Sequence, residues 1–234
     1  VVIVLVFVAV IWAAVTQRRK EEHLEAILFQ LGFSLASPPP PQLAQTIVEL
    51  RGAGPHKSLE LKDVFRRSIA GGELYLFDVL DTGGSETTTE LERAVAIVSP
   101  SLDLPRFILI PRPDFRNRAT GVLAQLAERA LTWATSRTGL AEITFEGDLE
   151  FNDAFITLAR DPEAVRGFLT DRRRTEVLQS SRRYVLDAVG NTLLISRNPV
   201  EREQAPDVVE QIRNAQEDAE RLLSWFRDGA IRYT

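Results

Sequence analysis

The densest group of side chains that could do chemistry is a set of carboxylates near residue 150. Asp148, Glu150 and Asp153 are candidate ligands for a divalent cation, because hard cations prefer carboxylate oxygens. Their spacing does not match a calcium-binding loop, which requires glycine at the sixth position and a carboxylate at the twelfth, where this sequence has Asp153 and Ala159. We therefore interpret the stretch as a solvated connection between two strands, with a cation-assisted hydrolase as the alternative.

The composition narrows the chemistry further. The chain contains no cysteine, which excludes thiol catalysis, disulfide bonds and cysteine-ligated metal sites. Its 2 histidines, His23 and His56, lie in a polar segment and in a loop with glycine and proline, and both are interpreted as solvated. The formal net charge of -5 disfavours non-specific binding to the phosphate backbone of nucleic acids, so no nucleic-acid partner is expected. These patterns leave the catalytic residues, if the protein is an enzyme, unidentified, and they predict no cofactor.

A cluster of arginines forms the densest positive patch outside the N-terminal region. Its members are Arg172, Arg173, Arg174, Arg182 and Arg183. Such a patch could bind anionic lipid, at about 1 kcal/mol per charge near a membrane, or a protein partner. The competing interpretation is a solvated helix face whose charge is balanced by Asp171 and Glu176.

The N-terminal residues Val1–Val15 form an unbroken apolar run. Such a run is unfavourable on a soluble surface, because each large aliphatic side chain in water loses about 1.5–3 kcal/mol. The sequence therefore predicts a transmembrane helix over residues 1–16. A full crossing needs about 20 apolar residues, so we expect residues upstream to complete the span. A secretory signal, a buried helix and a buried strand are the alternatives; the basic residues after the run, its lack of a polar stripe and its length disfavour them.

The residues at the end of this run indicate its orientation. Arg18, Arg19 and Lys20 follow it, and Trp12 lies near its end. Basic residues beside a membrane segment are retained in the cytoplasm, and tryptophan is enriched at the membrane interface. The sequence therefore predicts a single-pass inner-membrane protein with its C-terminal domain in the cytoplasm.

Residues 17–41 are predicted to be a juxtamembrane helix followed by a proline-rich spacer. Leu24, Ile27, Leu28 and Leu31 recur at helical spacing, and Gly32 ends the pattern. The run of prolines at 38–41 predicts an extended, stiff spacer or a lead into the next helix.

Residues 42–234 are predicted to form an α+β domain with a mainly antiparallel sheet and packed helices, including a long C-terminal helix. Strands are predicted at 64–69, 74–80, 91–98, 107–110, 143–145, 154–158, 184–189 and 192–196. Helices are predicted at 43–50, at 118–137, after Asp161, after Thr170 and from Pro206 to Gly229. Gly71-Gly72 and Gly190-Asn191 are typical of hairpin turns, and the strand at 74–80 is apolar on both faces, which predicts a central position.

A motif in the second half of the chain resembles one in a group of uncharacterised bacterial membrane-anchored proteins. It comprises Phe145–Phe155, Asp161–Val165 and Phe168–Thr170, and the strand Gly72–Asp78 is similar to the same group. The resemblance implies a bacterial origin, N-terminal membrane helices and a cytoplasmic α+β domain of unknown function. From the residues themselves, Phe151 and Phe168 are expected in the core and Asn152 at a turn, bonded to local backbone.

These observations favour a membrane-tethered cytoplasmic interaction or regulatory module. Its expected partners are the lipid bilayer and either another protein or a second copy of the chain. The alternatives are a membrane-anchored hydrolase that uses the carboxylate cluster with a divalent cation, and an oligomeric membrane-associated scaffold.

Overall fold

The computed structural model describes residues 24–51, 59–81, 90–112, 139–180, 184–197 and 208–227. In chain order, its elements are α1 (24–30), β1 (Ser34–Leu35), α2 (Pro41–Leu50), β2 (Leu59–Ile69), β3 (Gly72–Asp81), β4 (Glu90–Val98), β5 (Leu104–Pro111), β6 (Ala141–Ile143), α3 (Leu149–Ala154), β7 (Phe155–Ala159), α4 (Pro162–Phe168), α5 (Asp171–Ser180), β8 (Tyr184–Gly190), β9 (Thr192–Arg197) and α6 (Val208–Arg227).

The strands form one nine-stranded sheet in the order β1-β2-β3-β4-β9-β8-β5-β7-β6. Every neighbouring pair of described strands is antiparallel, which confirms the predicted fold class. Both predicted hairpins form, and Gly71 and Gly190 adopt positive φ angles of 91° and 54°, as tight turns require. The hairpin β8–β9 lies between β4 and β5, so the last two described strands of the chain occupy the middle of the sheet.

Helices cover the sheet on both sides. The larger core cluster joins one face to residues of α1, α3, α4, α5 and α6, including the fully buried Leu28, Phe151 and Val165. A second cluster places Ile47 and Leu50 of α2 against the opposite face. Because β3 is covered on both faces, its residues 74–79 are all buried, as its apolar sequence predicts.

The segment that the sequence predicts to be a juxtamembrane helix and spacer packs with the domain where the structure describes it. Leu28 and Phe33 belong to the main core, and β1 pairs with β2 through Leu35 and Phe65. Gly32 has a φ of 82° and ends the helix, as predicted. Pro41 is the first residue of α2, a position where the missing N–H costs no hydrogen bond, so the prolines lead into this helix.

Other boundaries move by a few residues, and two elements, β1 and α3, are not predicted by the sequence. The strand predicted at 143–145 is Ala141–Ile143, and the one at 154–158 is Phe155–Ala159. Between them lies α3, where we predicted a strand-to-strand connection. The C-terminal helix is confirmed over Val208–Arg227, whereas the predicted helix at 118–137 lies outside the described residues.

Candidate functional site

The carboxylate cluster surrounds the start of α3. Asp148 is the N-cap of this helix, and its Oδ1 accepts a hydrogen bond of 3.0 Å from the Phe151 backbone N–H. Its Oδ2 accepts a hydrogen bond of 2.6 Å from Nε of Arg174. Glu150 and Asp153 are exposed on the helix. Asp148 thus has two structural contacts, and the described ranges contain no group of three or more potential metal-ligating side chains.

Competing effects act on the pKa of Asp148. Partial burial raises it, but the hydrogen bonds from Arg174 and from the Phe151 backbone, together with the charge of Arg174, outweigh that effect and lower the pKa below its ordinary value of 3.8. This carboxylate is therefore held ionised, as an N-cap and ion-pair partner requires.

The motif around Asn152 is structural. The side chain of Asn152 accepts a hydrogen bond of 3.0 Å from the Phe145 N–H and donates one of 2.8 Å to the Phe145 carbonyl. This confirms the predicted bond to local backbone. Phe151 is fully buried and Phe168 packs against the core, which confirms the predicted packing roles.

The predicted arginine patch is wrong for two of its members. Arg173 and Arg174 are only 8% and 7% exposed. Arg173 donates 2.7 and 3.0 Å hydrogen bonds to the carbonyls of Phe168 and Phe226, and its guanidinium lies 4.1 Å from the Phe168 ring centroid. It therefore connects α5 to the end of α6 instead of facing solvent, lipid or a partner.

Arg174 makes an equivalent connection to α3. Besides its contact with Asp148, it donates hydrogen bonds to the Leu169 carbonyl at 2.7 Å and to Asp171 at 2.8 Å. Its guanidinium lies 4.5 Å from the centroid of the Phe145 ring. The sequence pattern does not show this because α5 has few apolar residues, and arginines are normally found on exposed faces.

The remaining patch residues do not form a described cluster. Arg172 is exposed and pairs with Glu176 one turn away, at 2.9 Å, which is the local balance that the solvated-face interpretation expects. Arg182 and Arg183 lie outside the described residues.

The predicted membrane flank also lies outside the described residues. This applies to Trp12, Arg18, Arg19 and Lys20, and to the apolar run that precedes them. Among the residues whose structure is described, no helix has the length and apolar character needed to cross a membrane.

A second arginine–aspartate contact, which the sequence analysis missed, lies in the middle of the sheet. Arg106 on β5 and Asp187 on β8 form an ion pair in which both side chains are almost fully buried. Nη2 of Arg106 also donates a 3.0 Å hydrogen bond to the carbonyl of Leu50, at the C-terminal end of α2. A cation at this end of a helix is favourable because the backbone carbonyls there carry partial negative charge. The contact therefore connects α2 to two strands.

The environment of Asp187 shifts its pKa in the opposite direction from that of Asp148. Burial raises the pKa of Asp187 from 3.8 to about 6, although the positive charges of Arg106 and Arg51 and the hydrogen bonds from Arg106 and the Ala188 backbone act to lower it. Arg51 donates a 2.9 Å hydrogen bond to the Ser196 hydroxyl on β9. This carboxyl group can exchange a proton near neutral pH, but its side chain is only 8% exposed.

One signal in the sequence could have identified this contact. In their strands, Arg106 and Asp187 lie next to buried apolar residues whose side chains face the opposite side of the sheet. Both charged side chains face the side that α2 covers. A charged residue at such a position needs a partner of opposite charge. The two are separated by 81 positions in the sequence, so the pattern identifies the need without identifying the partner.

In its described residues, the protein is an α+β fold with a nine-stranded antiparallel sheet and arginine–aspartate contacts that connect its helices and strands. No protein-family model and no curated protein matches the sequence. The fold is similar to the crystal structure of the mycobacterial trehalose monomycolate transport factor A, TtfA, with a TM-score of 0.52 and 10% sequence identity. The match covers 87% of this chain and 92% of that chain. At this identity the similarity concerns the fold.

Proposed function

We propose that this protein is a membrane-tethered interaction module whose folded domain acts from the cytoplasmic side. The observation that carries the proposal is the apolar run Val1–Val15, followed by Arg18, Arg19 and Lys20. Only a few residues separate this segment from α1, which packs in the core of the domain. A tether of this kind keeps the domain, and any partner that it binds, beside the bilayer.

The contacts of the candidate side chains favour a binding role over a catalytic one. Asp148 and the buried residues Arg173 and Arg174 connect helices to one another. Arg106 and Asp187 connect α2 to the sheet. These groups are used to fix the positions of surface elements, which is what a rigid binding module needs.

The similarity to TtfA suggests a more specific version of the proposal. A protein with this fold is a transport factor in mycobacteria. We extend only the general role to this chain: it assists a membrane-bound transport assembly as a non-catalytic component. The partner is then a protein that resides in the same membrane.

The tether can be tested by fractionating cells that express the full chain. We expect the protein to remain in the membrane pellet after alkaline carbonate washing and to be released by detergent. The double variant Val6→Asp/Val8→Asp should move to the soluble fraction, because each aspartate at the centre of a membrane helix costs about 2.5–3.5 kcal/mol. A matched control, Val48→Asp/Leu149→Asp, adds the same charges at exposed positions of the domain and should stay in the pellet.

Two further readouts test the orientation and the partner. A tag after Thr234 should be reachable only from the cytoplasmic side. Crosslinking in intact membranes, followed by purification of the full chain, should recover the same membrane protein repeatedly. A wild-type protein that dissolves without detergent, or a tag that is reachable only from outside the cell, would overturn the proposal.

A further inference from the structure

Two exposed apolar side chains lie together at the β1 edge of the sheet. Phe29 on α1 is 49% exposed and Leu35 on β1 is 51% exposed. The Phe29 ring makes an edge-to-face contact with the ring of Phe65, at 6.3 Å between centroids. Leu35 is the register partner of Phe65 across β1 and β2, and directly opposed residues share a sheet face. Phe29 and Leu35 therefore flank Phe65, and we call these three residues the anchor-side patch.

The exposure at this patch is unusual for the described part of the chain. In the described part of the chain, the exposed large hydrophobic residues are Phe29, Leu35, Val48 and Leu149. Val48 and Leu149 are on α2 and α3, in separate places. Contiguous exposed apolar side chains mark contact sites more often than isolated ones do.

The anchor-side patch lies close in sequence to the predicted membrane helix. Eight residue steps separate Thr16, at the end of the predicted membrane helix, from Leu24 at the start of α1. Even a fully extended chain of this length spans at most roughly 29 Å. Leu28 and Phe33 fix the patch to the core on either side of Phe29. The patch is thus the exposed apolar surface that follows the tether most closely in the sequence.

We propose that the anchor-side patch contacts the lipid bilayer, with Phe29 and Leu35 entering the interfacial layer; this rests on the proposed membrane tether. Aromatic and large aliphatic side chains are favourable at this depth. The charged side chains nearby are mixed: Lys62 and Arg67 share the sheet face of Phe65, and Glu25 lies one helical turn from Phe29. The contact therefore depends on apolar insertion more than on attraction to anionic lipid.

The absence of cysteine from the chain provides a direct test. Four single-cysteine variants of the full chain each carry one environment-sensitive fluorophore: Phe29→Cys, Leu35→Cys, Val48→Cys and Leu149→Cys. Each protein is reconstituted into vesicles of phosphatidylcholine and phosphatidylglycerol, with or without a nitroxide quencher at the depth of the headgroups. Val48 and Leu149 are the controls, because they are also exposed apolar positions.

We expect the labels at 29 and 35 to emit at shorter wavelength in vesicles and to be quenched by the nitroxide lipid. The labels at 48 and 149 should keep the emission of an aqueous environment. If the protein floats with the vesicles but all four labels are aqueous, the tether holds and the patch proposal is overturned. Labels at 29 and 35 that are shielded without quenching would overturn it in favour of a second copy as the occupant. Failure of the wild-type chain to float with vesicles would overturn the tether and, with it, this proposal.

Discussion

Two buried arginine–aspartate contacts connect different parts of this protein and place their carboxylates in opposite environments. Asp148 caps α3, receives a backbone hydrogen bond and retains 23% exposure of its side chain, and its pKa is lowered. Asp187 lies within the sheet with 8% exposure, and burial raises its pKa to about 6. Both have an arginine partner. Because both also accept a backbone hydrogen bond, the comparison shows that the extent of burial decides the direction in which each pKa moves.

The same comparison separates two structural roles. Arg174 holds helices together near the surface, where water still solvates part of the partner. Arg106 and Asp187 are both removed from water and hold α2 on the centre of the sheet. Breaking a pair of the second kind leaves a buried charge with no compensation, which is more costly than losing a partly solvated one.

The largest effect is expected from breaking the Arg106–Asp187 pair. Arg106→Met or Asp187→Leu should lower the free energy of unfolding at pH 7 by about 3–5 kcal/mol, because each leaves the other residue buried without its partner. The double variant Arg106→Met/Asp187→Leu should recover most of this loss, since no buried charge remains. Urea unfolding followed by circular dichroism measures all three. Single variants that each lose less than about 1 kcal/mol would contradict the buried-pair description.

A second prediction concerns pH: the two aspartates should change the free energy of unfolding in opposite directions as the pH falls. Native Asp187 binds its proton at a higher pH than the unfolded chain does, so it increases the free energy of unfolding as pH falls from about 6 to 3.8. A shift of this size corresponds to about 3 kcal/mol. The contribution of Asp148, whose pKa is lowered, is present above its ordinary pKa of 3.8 and is lost as pH falls through the lowered value.

Carboxyl carbon chemical shifts of the native protein, measured from pH 7.5 to 3, detect both directions, and variants are needed only to assign the two signals. One aspartate should titrate near pH 6 and be absent from the spectrum of Asp187→Asn. Another should titrate below 3.8 and be absent from that of Asp148→Asn. A native spectrum in which every aspartate titrates at its ordinary pKa would show that the two environments do not differ.

The sequence predicts local features of this fold well, because they are encoded by neighbouring residues. Gly71-Gly72 and Gly190-Asn191 specify hairpins, and Asp161 accepts hydrogen bonds from two backbone N–H groups at the start of α4, where the sequence predicts a helix. The insertion of β8–β9 between β4 and β5 is not encoded locally. The Arg106–Asp187 contact depends on that strand order, so it could not be predicted as a pair.

The candidate site shows the same limit. The carboxylate at 148 was identified as a possible ligand, but its use as a cap depends on α3, a helix too short to give a periodic pattern. The charged neighbours of Arg173 and Arg174 predict that both lie in a surface patch. Their burial depends on the Phe168 ring of α4, on the Phe145 ring in the segment before α3 and on the Phe226 carbonyl at the end of α6. The last two are distant in sequence from α5.

A smaller effect is expected where Arg174 meets Asp148. Arg174→Met removes the ion pair and leaves the buried Leu169 carbonyl without this donor, at a cost of about 2 kcal/mol. Asp148→Ala removes the cap of α3 and should cost about 1 kcal/mol. Because the two residues are in contact, the losses in the double variant should not add, and a double-mutant cycle should give a coupling of at least about 0.5 kcal/mol. Strict additivity would show that the contact contributes nothing to stability.

The smallest effect is expected at Arg172, the neighbour of the two buried arginines. Its guanidinium is exposed and contacts Glu176 one helical turn away. Exposed pairs at this spacing contribute about 0.3–0.5 kcal/mol, so Arg172→Met should lower the free energy of unfolding by no more than that, and high salt should reduce the difference further. Urea unfolding at low and high salt, with Arg174→Met measured alongside, is the test. A salt-independent loss equal to that of Arg174→Met would mean that the different exposure of Arg172 and Arg174 does not determine how much each contributes to stability.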